Sequence, residues 1–175
     1  VADLVEQVKQ TIRDVPDFPK PGILFKDITP VLQDPALFQG ITDHIAARFR
    51  VAGIQAVVGM ESRGFIFGCP VALALGCSFV PARKPGKLPY EAIGVEYALE
   101  YGTNRLELHT DAVKPGDRVL VVDDLLATGG TAKATVELVE KLGGEVVGCA
   151  FVVELSFLDG RSVLGDVPVD SLVVY

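Results

Sequence analysis

The chain has 175 residues, of which 49% are hydrophobic and 22% charged, with a net charge of −7. That composition describes a folded globular chain and excludes a disordered or low-complexity one. It also argues against a broad surface for nucleic acid or anionic membrane. The length fits one domain over residues 1–175, with room for a sizeable core.

In chain order, residues 2–13 set Leu4, Val5, Val8 and Ile12 on one helical face. Asp3 and Glu6 are spaced as an N-terminal capping pair, and the helix is predicted to end before Pro16. Residues 16–35 carry prolines at 16, 19, 21, 30 and 35, a density that forbids a long helix or a central strand. Phe18, Ile23, Leu24, Phe25 and Ile28 are nonetheless too apolar for a solvated linker, so a long irregular lid with its own packing is expected. Pro35 suits the first turn of a helix capped by Asp34 and running to about Phe49, with Leu37, Phe38, Ile41, Ile45 and Phe49 inward. His44 and His109 have no partner motif and read as structural or surface residues.

Residues 54–60 form the first buried strand. A polar turn, Glu61-Ser62-Arg63-Gly64, leads from it into a helix over about 65–75, so the turn falls on the ligand edge of a parallel sheet. Phe65 stands where a Walker A loop needs Lys, and no GxGxxG occurs, so P-loop hydrolysis and dinucleotide binding lack support. Residues 77–82 form a second short strand that runs into Arg83, Lys84 and Lys87, a cation cluster suited to a polyanion. Residues 94–100 and 106–109 alternate as a hairpin across Gly102. The prolines and glycines between 85 and 94 suit a mobile flap.

Residues 119–131, VLVVDDLLATGGT, combine a buried strand, two carboxylates at its end and a small-residue turn opening an apolar-periodic helix. Such a turn lets a phosphate reach backbone N–H groups at the positive end of the helix. Asp123 and Asp124 beside it are suited to hold sugar hydroxyls or a metal. Residues 145–155 are another buried strand, 158–161 a turn and 171–175 an edge strand. The order gives an α/β fold, a three-layer sandwich with a mostly parallel central sheet. Cys69, Cys77 and Cys149 lack CxxC spacing and lie in apolar surroundings, which predicts buried, reduced thiols. No stretch has the flanks of a signal peptide or the length of a membrane span, so the expected compartment is cytoplasmic.

VVDDLLATGGT resembles the phosphoribosyl diphosphate signature of the type I phosphoribosyltransferases. DFPKPGILFKDITPVLQDP is similar to the N-terminal hood of their adenine-using branch, GMESRGFIFG to its diphosphate loop, and ARKPGKLPYEAIGVEYALEYG to its flexible catalytic loop. The resemblance covers essentially the whole chain, with residues 16–35 as hood and 83–102 as flexible loop. It implies transfer of the 5-phosphoribosyl group from 5-phosphoribosyl-1-diphosphate to adenine, giving AMP and diphosphate, with Mg²⁺ held mainly by substrate oxygens and water. It also implies a homodimer with small-molecule substrates as its partners, without nucleic acid or membrane.

By the same resemblance, Ala127, Thr128, Gly129, Gly130 and Thr131 bind the 5′-phosphate, and Asp123 and Asp124, counted among the catalytic residues, hold the ribose hydroxyls and favour positive charge at C1′. Glu61, Ser62, Arg63, Arg83, Lys84 and Lys87 face the diphosphate, with Arg63 also counted among the catalytic residues. Leu24, Phe25, Lys26 and Leu126 hold the adenine. Glu100 transfers a proton at the purine, and Tyr101 shapes the closed loop. Lys26 stands where some family members carry Arg, and Lys lacks the planar two-point contact. Two other readings stay open at this stage: a regulatory protein that keeps the fold, and transfer to hypoxanthine, guanine or xanthine.

Overall fold

The computed structural model describes residues 2–98 and 103–175. Glu100 and Tyr101 therefore lie outside the described residues. Helix α1 (Ala2–Thr11) buries Val8 completely. Asp3 lies inside this helix, where its carboxylate accepts from the Gln7 side chain at 2.9 Å, and Glu6 accepts from Gln10 at 2.7 Å. The expected capping pair is thus two i,i+4 side-chain bonds on an exposed face.

The proline-rich segment is more regular than expected. Strands β1 (Arg13–Pro16) and β2 (Leu24–Asp27) pair antiparallel, and a short helix α2 (Thr29–Leu32) follows with Val31 buried. Pro16 is the last residue of β1, in a two-stranded sheet in which both strands are edges, so its missing N–H disturbs little. Pro30 stands in the first turn of α2, where a missing donor is harmless. Helix α3 (Pro35–Phe49) starts as its sequence dictates. Asp34 is extended, and its carboxylate accepts from Ala36 N at 2.9 Å and Leu37 N at 3.2 Å.

Strand β3 (Ala56–Met60) is buried at every position. Helix α4 (Arg63–Leu75) begins at Arg63, two residues before the expected start, and stops at Gly76 with φ 68. Strand β4 (Ser78–Ala82) precedes a separate antiparallel hairpin, β5 (Ala92–Ala98) with β6 (Thr103–His109). Strand β7 (Arg118–Leu126), helix α5 (Gly130–Lys141), strand β8 (Glu145–Glu154) and strand β9 (Val169–Val174) complete the order.

The central sheet has five strands in the order β4-β3-β7-β8-β9, all parallel. In β7, Leu120 and Val122 face a core shared with Val8 of α1, Ile41 and Ile45 of α3 and Phe67 and Val71 of α4. Val119 and Val121 face the opposite core, with Leu138 and Val139 of α5 and Leu106 and Leu108 of the hairpin. Apolar side chains alternating between two cores make the three layers, each fully buried one contributing roughly 1.5–3 kcal/mol.

Only part of the cysteine expectation holds. Cys149 is buried, and burial pushes its thiol up to about 12, while Cys77 is half-buried. Cys69 is exposed, because it falls on the side of α4 turned away from the sheet. His44 lies 3.5 Å from Asp170, and His109 Nε2 accepts from Tyr90 N at 3.4 Å. No helix among the described residues is long and apolar enough to cross a membrane.

Candidate active site

The site begins where neighbouring strands stop at different heights. Pairing of β7 with β3 ends at Val122 opposite Gly59, whereas β8 continues beside β7 as far as Leu126 opposite Glu154. Asp123 and Asp124 are therefore inside a strand that outruns its neighbour, and not beyond its end as expected. The β3 side left uncovered is filled by the start of α4. Gly64 packs so closely that a Cβ there would lie 2.8 Å from Val122 O and 2.9 Å from Asp123 Oδ1.

That packing gives the two carboxylates different partners. Asp124 is buried, and its Oδ2 lies 2.5 Å from Arg63 Nε. Asp123 Oδ1 accepts from Asp124 N at 2.9 Å. Burial, reinforced by the adjacent Asp124 charge, holds the Asp123 carboxyl well above the usual carboxylate range, and Arg63 opposes this only in part.

Two spaces that share Asp123, Leu125 and Thr131 in their walls border the pair. A cavity of about 340 Å³ is lined by Glu61, Ser62, Arg63, Lys84, Asp123, Asp124, Leu125 and Thr131. A smaller one, about 90 Å³, is walled by residues 125–132 together with Asp123 and Phe151. A helix start opens at each side. Ser62 precedes α4 and Gly129, at φ 81, precedes α5, and no described residue caps either start with its side chain. Backbone N–H groups at such starts lack intrahelical partners and carry the positive end of the helix dipole. The two adjoining spaces thus set a carboxylate pair between two anion-attracting ends.

The cation cluster reaches the cavity in part. Glu61 accepts from Lys84 N at 3.0 Å and from Arg83 Nε at 3.2 Å, the first contact doing most to hold its carboxyl below the usual range. Glu61 thereby ties the basic loop to the β3–α4 turn. Lys84 lines the cavity; Arg83 is held by Glu61 and by the Lys87 carbonyl at 3.2 Å, and Lys87 is exposed and outside the lining.

Of the residues expected at a base, Leu126 is buried at the small cavity. Leu24, Phe25 and Lys26 sit on the β1–β2 hairpin and do not line these two spaces. Leu24 is half exposed, and Phe25 meets Phe18 edge to face with centroids 5.1 Å apart. Lys26 Nζ lies 2.6 Å from Asp14 Oδ1 and 4.0 Å from the centre of the Tyr175 ring. Tyr175 O accepts from Ser156 N and Oγ, and Leu155 N donates to Leu126 O at 2.9 Å, so the hairpin is fastened through Tyr175 to the C-terminal end of the sheet, where β7 finishes at Leu126.

Sequence reasoning missed three residues. Leu125 lines both spaces. Gly64 permits the contact of α4 with β7. Tyr97 of β5 accepts a hydrogen bond at its hydroxyl from Thr131 Oγ1 at 3.3 Å, which joins the hairpin to the start of α5. Its period-2 place beside Val95 on the inward face of β5 was the available signal.

A profile of the phosphoribosyl transferase domain matches residues 27–164. The chain belongs to the type I phosphoribosyltransferase family. It is similar to the adenine phosphoribosyltransferase of Myxococcus xanthus, with 56% identity over 172 residues, covering 98% of this chain and 94% of that one. Its fold is similar to that of the Rhodothermus marinus adenine phosphoribosyltransferase, with TM-score 0.95, 54% identity and both chains fully covered. The Saccharomyces cerevisiae enzyme, solved with an imino-altritol bisphosphate and adenine, is similar with TM-score 0.93 and 44% identity over 98% of this chain and 99% of that one.

Proposed function

We infer that the chain is a purine-salvage enzyme, moving the 5-phosphoribosyl group from 5-phosphoribosyl-1-diphosphate to adenine and releasing AMP and diphosphate. The observation that carries this reading is the pair of adjoining cavities with an uncapped helix start at each side and the Asp123–Asp124 pair between them. It suits a ligand that is anionic at both ends and rich in hydroxyls in the middle. The full-length likeness to adenine phosphoribosyltransferases supplies the base.

In this reading the backbone of Ala127–Thr131 seats the 5′-phosphate, with the Thr128 and Thr131 hydroxyls adding donors. Asp123 and Asp124 accept from the ribose 2′ and 3′ hydroxyls, and the pair favours positive charge developing at C1′ once it is ionised beside Arg63. Ser62, Arg63 and Lys84 receive the diphosphate, and Arg83 and Lys87 add charge when the loop over residues 83–102 closes and excludes water. Leu24 and Phe25 of the hood close over the base against Leu126. Lys26 is occupied by Asp14 and Tyr175, so we give it an anchoring part in the hood. Glu100 moves a proton at the purine, a contribution of about 10²–10⁴-fold on the usual scale, and Tyr101 packs the closed loop.

The donors beside the cavity are carboxylate oxygens, the hard ligands that Mg²⁺ takes, and no cluster of three or more metal-binding side chains occurs among the described residues. Asp123 and Asp124 would hold Mg²⁺ only as a supplement to diphosphate and ribose oxygens and water. When bound, the ion supplies neutralisation of the leaving diphosphate. We further propose one cytoplasmic domain that pairs as a homodimer through the outer face of α4, where Ile66 and Leu73 are 37% and 82% exposed beside Cys69. Sedimentation at micromolar concentration tests the dimer.

The test of the reaction is a base panel with phosphoribosyl diphosphate and Mg²⁺. AMP formation from adenine, far above nucleotide formation from hypoxanthine, guanine or xanthine, is expected. Transfer to another base at equal or higher kcat/KM overturns the assignment.

A further inference from the structure

The phosphate turn is braced from outside by a segment to which the reaction assigns nothing. Gly160 and Gly129 lie face to face: a Cβ on Gly160 would collide with Ala127 O, and one on Gly129 with Gly160 O. The Val163 side chain closes on Gly129 as well, so a Cβ there would fall 2.5 Å from Val163 Cγ2. Gly160 is not among the glycines with positive φ, so its lack of a side chain answers to crowding against the phosphate turn and not to backbone conformation.

The residue after Gly160 fastens this contact. Arg161 spans Glu154 with two hydrogen bonds, Nε to Oε1 at 3.1 Å and Nη2 to Oε2 at 2.5 Å, and its Nη1 donates to Val169 O at 2.9 Å. Glu154 is buried at the end of β8 and pairs in register with Leu126, the residue that precedes the phosphate turn. Two-point pairing of a guanidinium with a buried carboxylate fixes orientation as well as distance. The brace thus runs from Glu154 through Arg161 and Gly160 to the carbonyl of Ala127.

We propose that Arg161 and Glu154 are positioning residues for the 5′-phosphate seat, acting through Gly160 to hold the backbone of residues 127–129 in its binding shape. The proposal rests on the phosphoribosyl transfer reading above. A misplacement of about 1 Å at such a seat is worth up to about 10²-fold in rate, because the N–H groups no longer converge on the phosphate.

The experiment compares wild type with Arg161→Ala, Glu154→Gln, Arg161→Lys and Gly160→Ala, measuring KM for each substrate, kcat and Tm. Wild-type AMP formation is the control for the reaction itself; its absence indicts the functional reading and not the brace. With that control satisfied, Arg161→Ala and Glu154→Gln should each raise KM for phosphoribosyl diphosphate by about tenfold while KM for adenine stays within about twofold, as loss of one-substrate positioning requires. Their double variant should be no worse than either single one, because the two residues act as one unit. Arg161→Lys should recover less than half of the lost affinity, since Lys cannot make the two-point contact. Gly160→Ala leaves the ion pair intact and should give the same selective rise in KM. Titration of folded Gly160→Ala with ribose 5-phosphate gives a readout that survives poor folding of the charge variants. Equal rises in both KM values, or lowered Tm with unchanged ribose 5-phosphate affinity, would overturn the proposal.

Discussion

The two ends of the candidate site are made differently. The end at residues 127–131 is backbone: a turn with Gly129 at φ 81, crowded from behind by Gly160 and Val163 and continuous with the buried strand β7. The end at residues 61–63 and 83–87 is largely side chain, with Arg63 and Arg83 held by acidic partners and Lys84 and Lys87 exposed. A backbone seat is rigid and indifferent to side-chain identity, whereas a side-chain seat adapts but loses its function one residue at a time. This division suits a ligand whose sugar phosphate stays put while its diphosphate must leave.

The largest effect should come from the carboxylates between the two ends. Asp123→Asn with Asp124→Asn should lower kcat/KM by about 10³-fold or more, with near-wild-type circular dichroism. A loss under about tenfold would remove both residues from the centre of the chemistry. Gly64→Ala should follow, since its Cβ would press on Val122 O and Asp123 Oδ1. A loss of about 1–3 kcal/mol in urea unfolding, together with reduced kcat, is expected.

Asp123→Asn alone separates stability from function. The Asp123 carboxyl is raised in the folded chain, so folding is favoured while it is protonated, and that advantage is lost as pH climbs from the ordinary carboxylate range through the raised value. Asn keeps the shape without the cost of ionisation. At pH 7 the variant should melt above wild type, with the gap closing towards about pH 4. An equal or lower Tm at pH 7 would contradict the burial argument, and higher stability with lower activity is the trade-off expected of a strained site.

The smallest effects probe the contrast itself. Thr128 is exposed and its turn is proposed to bind mainly through backbone, so Thr128→Ala should raise KM for phosphoribosyl diphosphate no more than about threefold. A much larger rise would mean that the phosphate end also depends on side chains. Lys26→Arg should leave both KM values within about twofold, because that amine is committed to Asp14 and the Tyr175 ring.

The fold was legible wherever one local signal sufficed. Asp34 followed by Pro35 announces a cap and a first turn. The runs at 54–60 and 119–122 announce buried strands, and small residues after two aspartates announce the turn that opens α5. What escaped depends on partners far away in sequence. β7 runs through Asp123 and Asp124 because β8 continues to pair with it, a fact held in residues 151–154 and not in the VVDD run. The prolines around residue 20 hid a hairpin because they fall at its end and in its loop, where a strand tolerates them. The turn at 158–161 was visible, but its fastening to Glu154 was not, since nothing in LDGR names a partner at the end of the preceding strand. Glu100 and Tyr101 rest on resemblance alone, because they lie outside the described residues.

The proposed site has two separate anion seats in adjoining cavities, and titration of each half of the donor substrate tests that directly. Arg63→Ala should weaken diphosphate binding by about tenfold, the scale of one lost charge-assisted contact, while ribose 5-phosphate affinity stays within about twofold of wild type. Equal weakening of both ligands would mean that the cavity is a single undivided site, and the assignment of its two ends would fall.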